Sequence, residues 1–101
     1  IEKIKKSDLI ELHNRPIYLS YLVNSLTNRT YILYFHNDPL SMSGSKTLSE
    51  RIFLMKNSFK IIFNSNWSKR RFLENMKSDF INSEKLVVVN QSAKKNSFNI
   101  H

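Results

Sequence analysis

Four short apolar runs alternate along the chain with segments of helical spacing, and this alternation constrains the fold more than any other feature. The runs predict strands over Asp8–His13, Tyr31–Phe35, Phe59–Phe63 and Leu86–Val89. Strands that alternate with helices form βαβ units, whose strands are parallel and whose crossovers are right-handed. The sequence therefore predicts an α/β fold in which helices flank a parallel sheet. Tyr31–Phe35 shows no polar alternation, which is typical of a strand that is covered on both faces.

Three helices are predicted between the strands, and each begins at a residue that suits a helix start. Pro16 fits the first turn of a helix, where its missing N–H is not needed. Thr47 and Glu50 have the spacing of a capping box, and Ser65 or Asn66 can cap the third helix. The predicted helices span Ile17–Leu26, Leu48–Asn57 and Trp67 to about Met76.

The third predicted helix carries both aromatic and basic residues. We expect Trp67 and Phe72 to belong to the core, because the helix must pack against the sheet. Lys69, Arg70 and Arg71 are expected on its solvated side, although they are also able to contact phosphates or anionic lipid.

The charge of the chain favours an anionic partner. Sixteen Lys and Arg residues against eight Asp and Glu give a net charge of +8. The abundance of Asn, Lys, Ile and Ser offers a second explanation, which is a compositional bias of the source genome. The chain has no cysteine, so disulfides and thiolate metal sites are excluded. No window approaches the roughly 20 apolar residues that span a bilayer, and we expect a cytoplasmic protein.

All four predicted strands end in polar residues. These are His13-Asn14, His36-Asn37-Asp38, Asn64-Ser65-Asn66 and Asn90-Gln91-Ser92. Parallel strands bring such ends to one edge of the sheet, where open α/β folds bind ligands. Asn, Ser and Asp are also common in helix caps and turns, so each alone is ambiguous. His13 and His36 are stronger candidates, since imidazole seldom serves as a cap and can donate, accept or titrate near neutral pH.

Other site chemistries have less support in the sequence. His13, His36 and Asp38 are a possible metal set, but they lack the close spacing of known metal motifs. Gly44 is the only glycine, so the chain contains no G-x-G-x-x-G or Walker A motif.

Four segments of the chain resemble a known enzyme family. DLIELHNRP, YILYFHNDPLSMSGSKTLSER, KIIFNSNWSKRRFLE and KLVVVNQS are similar, in order and spacing, to the later half of the N-terminal domain of family 4 retaining glycosyltransferases. These enzymes have the GT-B architecture of two Rossmann-like domains. The resemblance covers roughly residues 7–92 and is closest to bacterial members that build lipopolysaccharide or other surface polysaccharides.

The resemblance implies an enzyme that transfers a sugar from a nucleotide-sugar donor to a glycan or a lipid-linked acceptor. It implies no metal ion or other cofactor, with the donor held by a C-terminal domain. His36 matches a histidine that reaches the transferred sugar, and it is the candidate catalytic residue. The candidate acceptor-binding or substrate-binding residues are His13, Asn14, Arg15, Asn37, Asp38, Ser65 and Asn66. The loop Leu40–Lys46 is expected to help form the acceptor wall.

The chain also departs from the family pattern. Asn90-Gln91-Ser92 stands where many relatives have a Pro-Asn-Gly turn. The glycine-rich loop of the family is expected before Ile1 and the donor domain after His101. We therefore expect residues 1–92 to be an incomplete N-terminal glycosyltransferase domain and 93–101 a linker. Such a fragment is expected to be inactive alone.

A second hypothesis is a small basic module without catalytic activity, which binds nucleic acid or an anionic membrane. The glycosyltransferase hypothesis expects no nucleic acid, but it allows peripheral contact with the inner face of the cytoplasmic membrane. Under either hypothesis, self-association is possible through an uncovered sheet edge at Asp8–His13.

Overall fold

A parallel sheet of four strands organises the computed structural model, which describes residues 9–25 and 29–89. The strands lie side by side in the order β1 (Leu9–His13), β2 (Thr30–Phe35), β3 (Lys60–Phe63) and β4 (Leu86–Val88). The helices are α1 (Ile17–Ser25), α2 (Leu48–Asn57), α3 (Asn66–Phe72) and α4 (Ser78–Ile81), and a 3₁₀ turn spans Pro39–Ser41. The predicted α/β fold, a Rossmann-like parallel sheet flanked by helices, is thereby confirmed.

The predicted and observed elements differ mainly at their ends. The bounds of α2 are as predicted, whereas α3 ends at Phe72 and not near Met76. Asn75 adopts a left-handed conformation with φ of 67°, which a continuing α-helix does not accommodate. α4 is missing from the predicted elements, because four residues are too few to show a helical pattern. The predictions for Asp8, Leu26, Asn90-Gln91-Ser92 and 93–101 lie outside the described residues.

The crossovers place their helices on one side of the sheet. Consecutive strands are neighbours throughout the sheet, so right-handed connections keep crossing on the same side. The buried side chains of the strands accordingly share one face: Leu12, Tyr31, Leu33, Phe35, Ile61, Phe63 and Leu86. We call this the helix face and the opposite side the open face.

The core lies between the helix face and the helices. The rings of Phe35 and Phe63 stack with centroids 5.6 Å apart, and Phe72 of α3 lies 5.5 and 5.4 Å from them. Leu19 of α1 and Leu54 of α2 complete this core from the helices, and both are buried. Full burial of one such side chain stabilises the fold by about 2–3 kcal/mol. The prediction that Phe72 belongs to the core is confirmed.

The prediction that the central strand is covered on both faces is wrong for the described part of the chain. Burial alternates along β2, where Tyr31, Leu33 and Phe35 are buried but Ile32 and Tyr34 are half-buried. The physical reason is the strand order, which sends the described helices to the helix face and leaves the open face without a covering layer.

The prediction that Trp67 belongs to the core is also wrong, since this side chain is 51% exposed. Ser68 and Phe72, four residues apart on α3, are buried and therefore define the side of the helix that meets the core. Trp67 precedes Ser68 by one residue and is rotated away from that side by about 100°.

Two local features fix the segment between β2 and α2. The predicted capping box is present, since the hydroxyl of Thr47 accepts from Glu50 N at 3.2 Å and Thr47 N donates to the Glu50 carboxylate at 3.1 Å. Gly44 has φ of 99°, and a Cβ built there would lie 2.5 Å from the backbone nitrogen of Ile17. The segment therefore packs closely on the start of α1, and only glycine fits at that contact.

Candidate functional site

Two histidines from neighbouring strands meet at the carboxyl end of the sheet. β1 ends at His13, which is in register with Tyr34, and His36 directly follows β2. Nδ1 of His13 lies 3.1 Å from Nε2 of His36, within hydrogen-bonding distance. The imidazole of His13 also stacks on the ring of Tyr34, with centroids 4.1 Å apart and planes inclined by 5°. We call these three residues the aromatic stack.

Glu11 extends this network on the open face. Its Oε1 lies 3.4 Å from Nε2 of His13 and accepts from the tautomer that carries a proton on that nitrogen. In that tautomer Nδ1 of His13 accepts from a proton on Nε2 of His36, and Nδ1 of His36 is then an acceptor for a ligand. Partial burial raises the pKa of Tyr34, and Glu11 raises it further. Tyr34 therefore keeps its hydroxyl proton at neutral pH.

Two asparagines hold the backbone of His36. Asn14 has φ of 56°, a left-handed conformation that asparagine tolerates better than most residues. Its Oδ1 accepts from His36 N at 2.8 Å, and its Nδ2 donates to Oδ1 of Asn37 at 2.9 Å. From the other side, Asn64 Nδ2 donates to His36 O at 3.0 Å. His36 is thus fixed at its N–H by the end of β1 and at its carbonyl by the end of β3.

Asp38 is engaged in an ion pair with Arg71. Nε and Nη2 of Arg71 donate to the two carboxylate oxygens of Asp38 at 3.1 and 2.9 Å. Leu40 N donates to the same carboxylate at 3.1 Å. The hydrogen bond from Arg71 lowers the pKa of Asp38 and the bond from Leu40 N acts in the same direction, although partial burial opposes them. The pair ties the loop after β2 to α3.

A cavity of about 320 Å³ opens beside the aromatic stack. Its lining combines hydrogen-bonding groups with apolar ones, and includes His13, Tyr34, His36, Ile62, Asn64 and Val89. Ligand sites commonly combine apolar walls with a few placed polar groups. The lining therefore suits a small ligand with hydroxyl groups and apolar C–H faces.

The structure brings together some of the predicted site residues and separates others. His13, Asn14, His36 and Asn37 form one hydrogen-bonded cluster. Ser65 is the N-cap of α3, where its Oγ accepts from Ser68 N at 3.1 Å, and Asn66 is exposed in the first turn. Arg15 is exposed between β1 and α1.

The loop Leu40–Lys46 lies partly against the helices. Gly44 lines a second cavity, of about 220 Å³, together with residues of α1 and α2 such as Ile17 and Phe53. The hydroxyl of Ser45 is buried and donates to Pro39 O within the loop. This part of the predicted acceptor wall is therefore packed on α1 and does not line the cavity at the aromatic stack.

Three contributors to the site are missing from the sequence-based candidates. Asn64 and Tyr34 line the cavity, and Arg71 holds Asp38. Asn64 is one of the polar residues that end the predicted strands, but it is not among the candidate site residues. Tyr34 lies within an apolar run, which predicts a strand and not a site residue. The partner of Asp38 depends on the orientation of α3 about its own axis.

Comparisons with known protein families, with curated proteins and with solved structures find no match. Within residues 9–25 and 29–89, no three His, Cys, Asp or Glu side chains lie close enough to share a metal ion. The helices of this part are also too short or too polar for a membrane span. The candidate site therefore rests on its own geometry.

Proposed function

We propose that the chain is the acceptor-side part of a retaining glycosyltransferase, with His36 at the transferred sugar. The observation that carries the proposal is the position of His36, which the amides of Asn14 and Asn64 hold at the carboxyl edge of a parallel sheet. The resemblance to family 4 glycosyltransferases supports the proposal, because it implies a sugar-binding histidine at the same strand end.

The protonation pattern of the histidine pair suits a sugar ligand. When Nε2 of His36 donates to Nδ1 of His13, Nδ1 of His36 accepts from a sugar hydroxyl group. The apolar part of the cavity, which includes Ile62 and Val89, suits the C–H face of a sugar ring. These contacts position a sugar but supply no nucleophile of their own.

Sugar transfer with retention depends on positioning and on stabilising an oxocarbenium-like sugar and a leaving phosphate. The candidate site supplies positioned hydrogen bonds, and a second domain that binds the nucleotide would supply the phosphate contacts. We therefore expect no transfer by these 101 residues alone. Glycans and lipid-linked sugars of a surface polysaccharide pathway are the proposed acceptors, and a nucleotide sugar is the proposed donor.

The proposal is tested by following His13 and His36 by NMR while the chain is titrated with alkyl glycosides and with nucleotide sugars. Alkyl glycosides that mimic a lipid-linked acceptor are expected to shift both imidazoles and the side-chain amide of Asn64. In His36→Ala, the saturable shifts of the His13 imidazole and of the Asn64 side-chain amide should be lost. Arg70→Ala, at an exposed position of α3, is the matched control and should leave them unchanged.

Two outcomes would contradict the proposal. Glycosides that leave the aromatic stack undisturbed, or shifts that persist in His36→Ala, would remove His36 from the sugar site. Sugar transfer catalysed by the isolated chain would contradict the requirement for a second domain.

An anionic membrane is a second candidate partner, and the exposed Trp67 favours it. The guanidinium of Arg71 lies 5.5 Å from the indole ring, and Arg70 beside it is exposed. Indole and basic groups together suit the interface between lipid headgroups and water. This arrangement would place the protein on the inner face of the cytoplasmic membrane.

Trp67 is the only tryptophan, so its fluorescence reports on this candidate contact. Vesicles with phosphatidylglycerol should shift the emission to the blue, and added salt should reverse the shift. Neutral phosphatidylcholine vesicles and nucleic acid are expected to leave the emission unchanged. Arg70→Glu should weaken vesicle binding, whereas Lys56→Glu on α2 makes the same charge change away from Trp67. A response to nucleic acid alone would favour the nucleic-acid module instead.

A further inference from the structure

The open face of the sheet carries several apolar side chains. Its apolar side chains come from all four strands and the residue after β4, and none of them is buried: Leu9, Ile32, Tyr34, Ile62, Val87 and Val89. Parallel sheets occur almost only with both faces covered. The described helices all lie on the helix face, so this surface calls for another layer.

We propose that a second copy of this chain covers the open face, so that two sheets pack face to face about a two-fold axis. The axis runs parallel to the strands and lies over β2. This inference rests on the side chains of the open face alone. Three of them, Tyr34, Ile62 and Val89, also line the cavity beside the aromatic stack, so the dimer and a bound sugar compete for this part of the face.

Charge complementarity across this axis favours a second copy. Glu11, Ile32 and Lys60 are aligned in one row of the sheet, with the two charged residues on either side of Ile32. A two-fold axis over β2 brings each Ile32 against its counterpart and Glu11 of each copy opposite Lys60 of the other. In the dimer Lys60 exchanges its hydrogen bond to Glu84 O for the pair across the axis. Glu11 likewise exchanges its contact with His13 for this pair. A surface of this kind is complementary to itself, as a two-fold interface requires.

The geometry of sheet packing permits these contacts. Packed sheets lie about 10 Å apart, and their twist rotates one strand set by about 30° against the other. Glu11 and Lys60 belong to the strands next to the axis, where this rotation displaces them little. Their side chains, from opposite sheets, are together long enough to meet across the gap.

The size of the face sets the strength of the association. Strands about 4.8 Å apart with a rise of about 3.3 Å per residue give four strands a projected area of roughly 300 Å². A standard stable interface buries roughly 800 Å² per partner. An interface of this size is a weak, transient one, so the dimer is to be sought at micromolar to millimolar concentration.

Sedimentation equilibrium over that concentration range, at about 0.15 M salt, measures the dimer directly. Ile32→Lys places two ammonium groups together at the axis and should raise the dissociation constant at least about tenfold. Ile81→Lys, an exposed position on α4, is the matched control and should leave it unchanged. Far-UV circular dichroism and urea unfolding establish that each variant is folded.

A charge exchange tests the arrangement itself. Glu11→Lys and Lys60→Glu should each weaken the dimer, because each places like charges opposite one another. The double variant restores both opposite-charge pairs and should recover most of the lost association. Random changes in solubility would not produce this recovery.

Three outcomes would overturn the proposal. A chain that stays monomeric up to millimolar concentration has no such interface. A dimer that Ile32→Lys leaves intact uses another surface, such as the edge of β1. If Ile32→Lys disrupts the dimer but the double charge variant associates no better than Glu11→Lys or Lys60→Glu alone, the two copies do not have the two-fold arrangement.

Discussion

Asp38 links two parts of the chain that are 33 residues apart in sequence. Its carboxylate accepts from Arg71 through two hydrogen bonds, a bidentate geometry that is stronger than a single contact. The pair holds the loop after β2 against α3 and so stabilises the backbone that follows His36. The loop that follows His36 therefore has electrostatic support from α3.

Replacement of Asp38 should make stability less dependent on pH. The pKa of Asp38 is lower in the folded chain than in the unfolded chain, where it is about 3.9. The pair therefore stabilises the fold above that value, and the stabilisation is lost as the pH falls through the folded pKa. Asp38→Asn should lower the urea concentration at the unfolding midpoint at pH near 7. The difference from the unchanged chain should become smaller as the pH falls.

Asp79→Asn, at an exposed position of α4, removes the same charge and serves as the control. An Asp38→Asn deficit that stays constant from neutral to strongly acidic pH would assign the effect to packing and not to the ion pair.

The residues of the site were predictable to different extents. His13 and His36 stand at strand ends, and polar residues at such ends can be seen in the sequence. Asn14 was predicted as a substrate contact, but its side chain holds the backbone of His36. The contact between Arg71 and Asp38 could not be predicted, because it depends on the orientation of α3 about its own axis.

Helix α2 supports the end of α3 through a buried arginine. Nη1 of Arg51 donates to Phe72 O and to Glu74 O, each at 2.8 Å. These carbonyls follow the last turn of α3 and have no intrahelical partner of the usual kind. Burial lowers the pKa of Arg51, in keeping with a charge held away from water. One side chain thus fixes the packing of two helices.

Arg51→Met should destabilise the fold by about 2 kcal/mol, because one buried and one partly buried carbonyl lose a charged donor while the side-chain volume is nearly kept. Urea unfolding measures the change. Lys56→Met, an exposed position on the same helix, is the matched control and should change stability little. Equal stability of Arg51→Met and the unchanged chain would mean that the arginine contributes no net stabilisation.

The elements differ in how much of them the sequence determines. The bounds of α2 follow from its capping box, since Thr47 and Glu50 specify the first turn locally. Its buried Arg51 could not be predicted, because an arginine within a helix normally lies on the solvated side. For α3, the cap at Ser65 is local, but its early end depends on the left-handed Asn75.

Residues 9–25 and 29–89 form a two-layer structure with a core on one side of its sheet. The alternation of strands and helices predicted the parallel sheet, because it follows from local patterns. The single-sided core follows from strand order, which is set by contacts between distant segments and cannot be seen in apolar runs. An apolar run such as Tyr31–Phe35 has the same composition whether one or both of its faces are covered.

Neighbouring residues of β2 should therefore differ strongly in their importance for stability. Leu33 is 1% exposed on the helix face, and Leu33→Ala should cost about 3 kcal/mol of unfolding free energy. Ile32 is half-buried on the open face, and Ile32→Ala should cost about 1 kcal/mol or less. Urea unfolding of dilute samples, where the chain is monomeric, measures both. Similar losses at the two positions would argue against a one-sided core.

The strand order also has a consequence for how the chain emerges from the ribosome. Each new strand pairs with the strand made just before it, and each helix between them packs on the same side. The sheet can therefore grow by one βα unit at a time during translation, and none of the four described strands has to wait for a partner made much later. Synthesis and folding can proceed in the same direction, with only the most recent strand exposed at the growing edge.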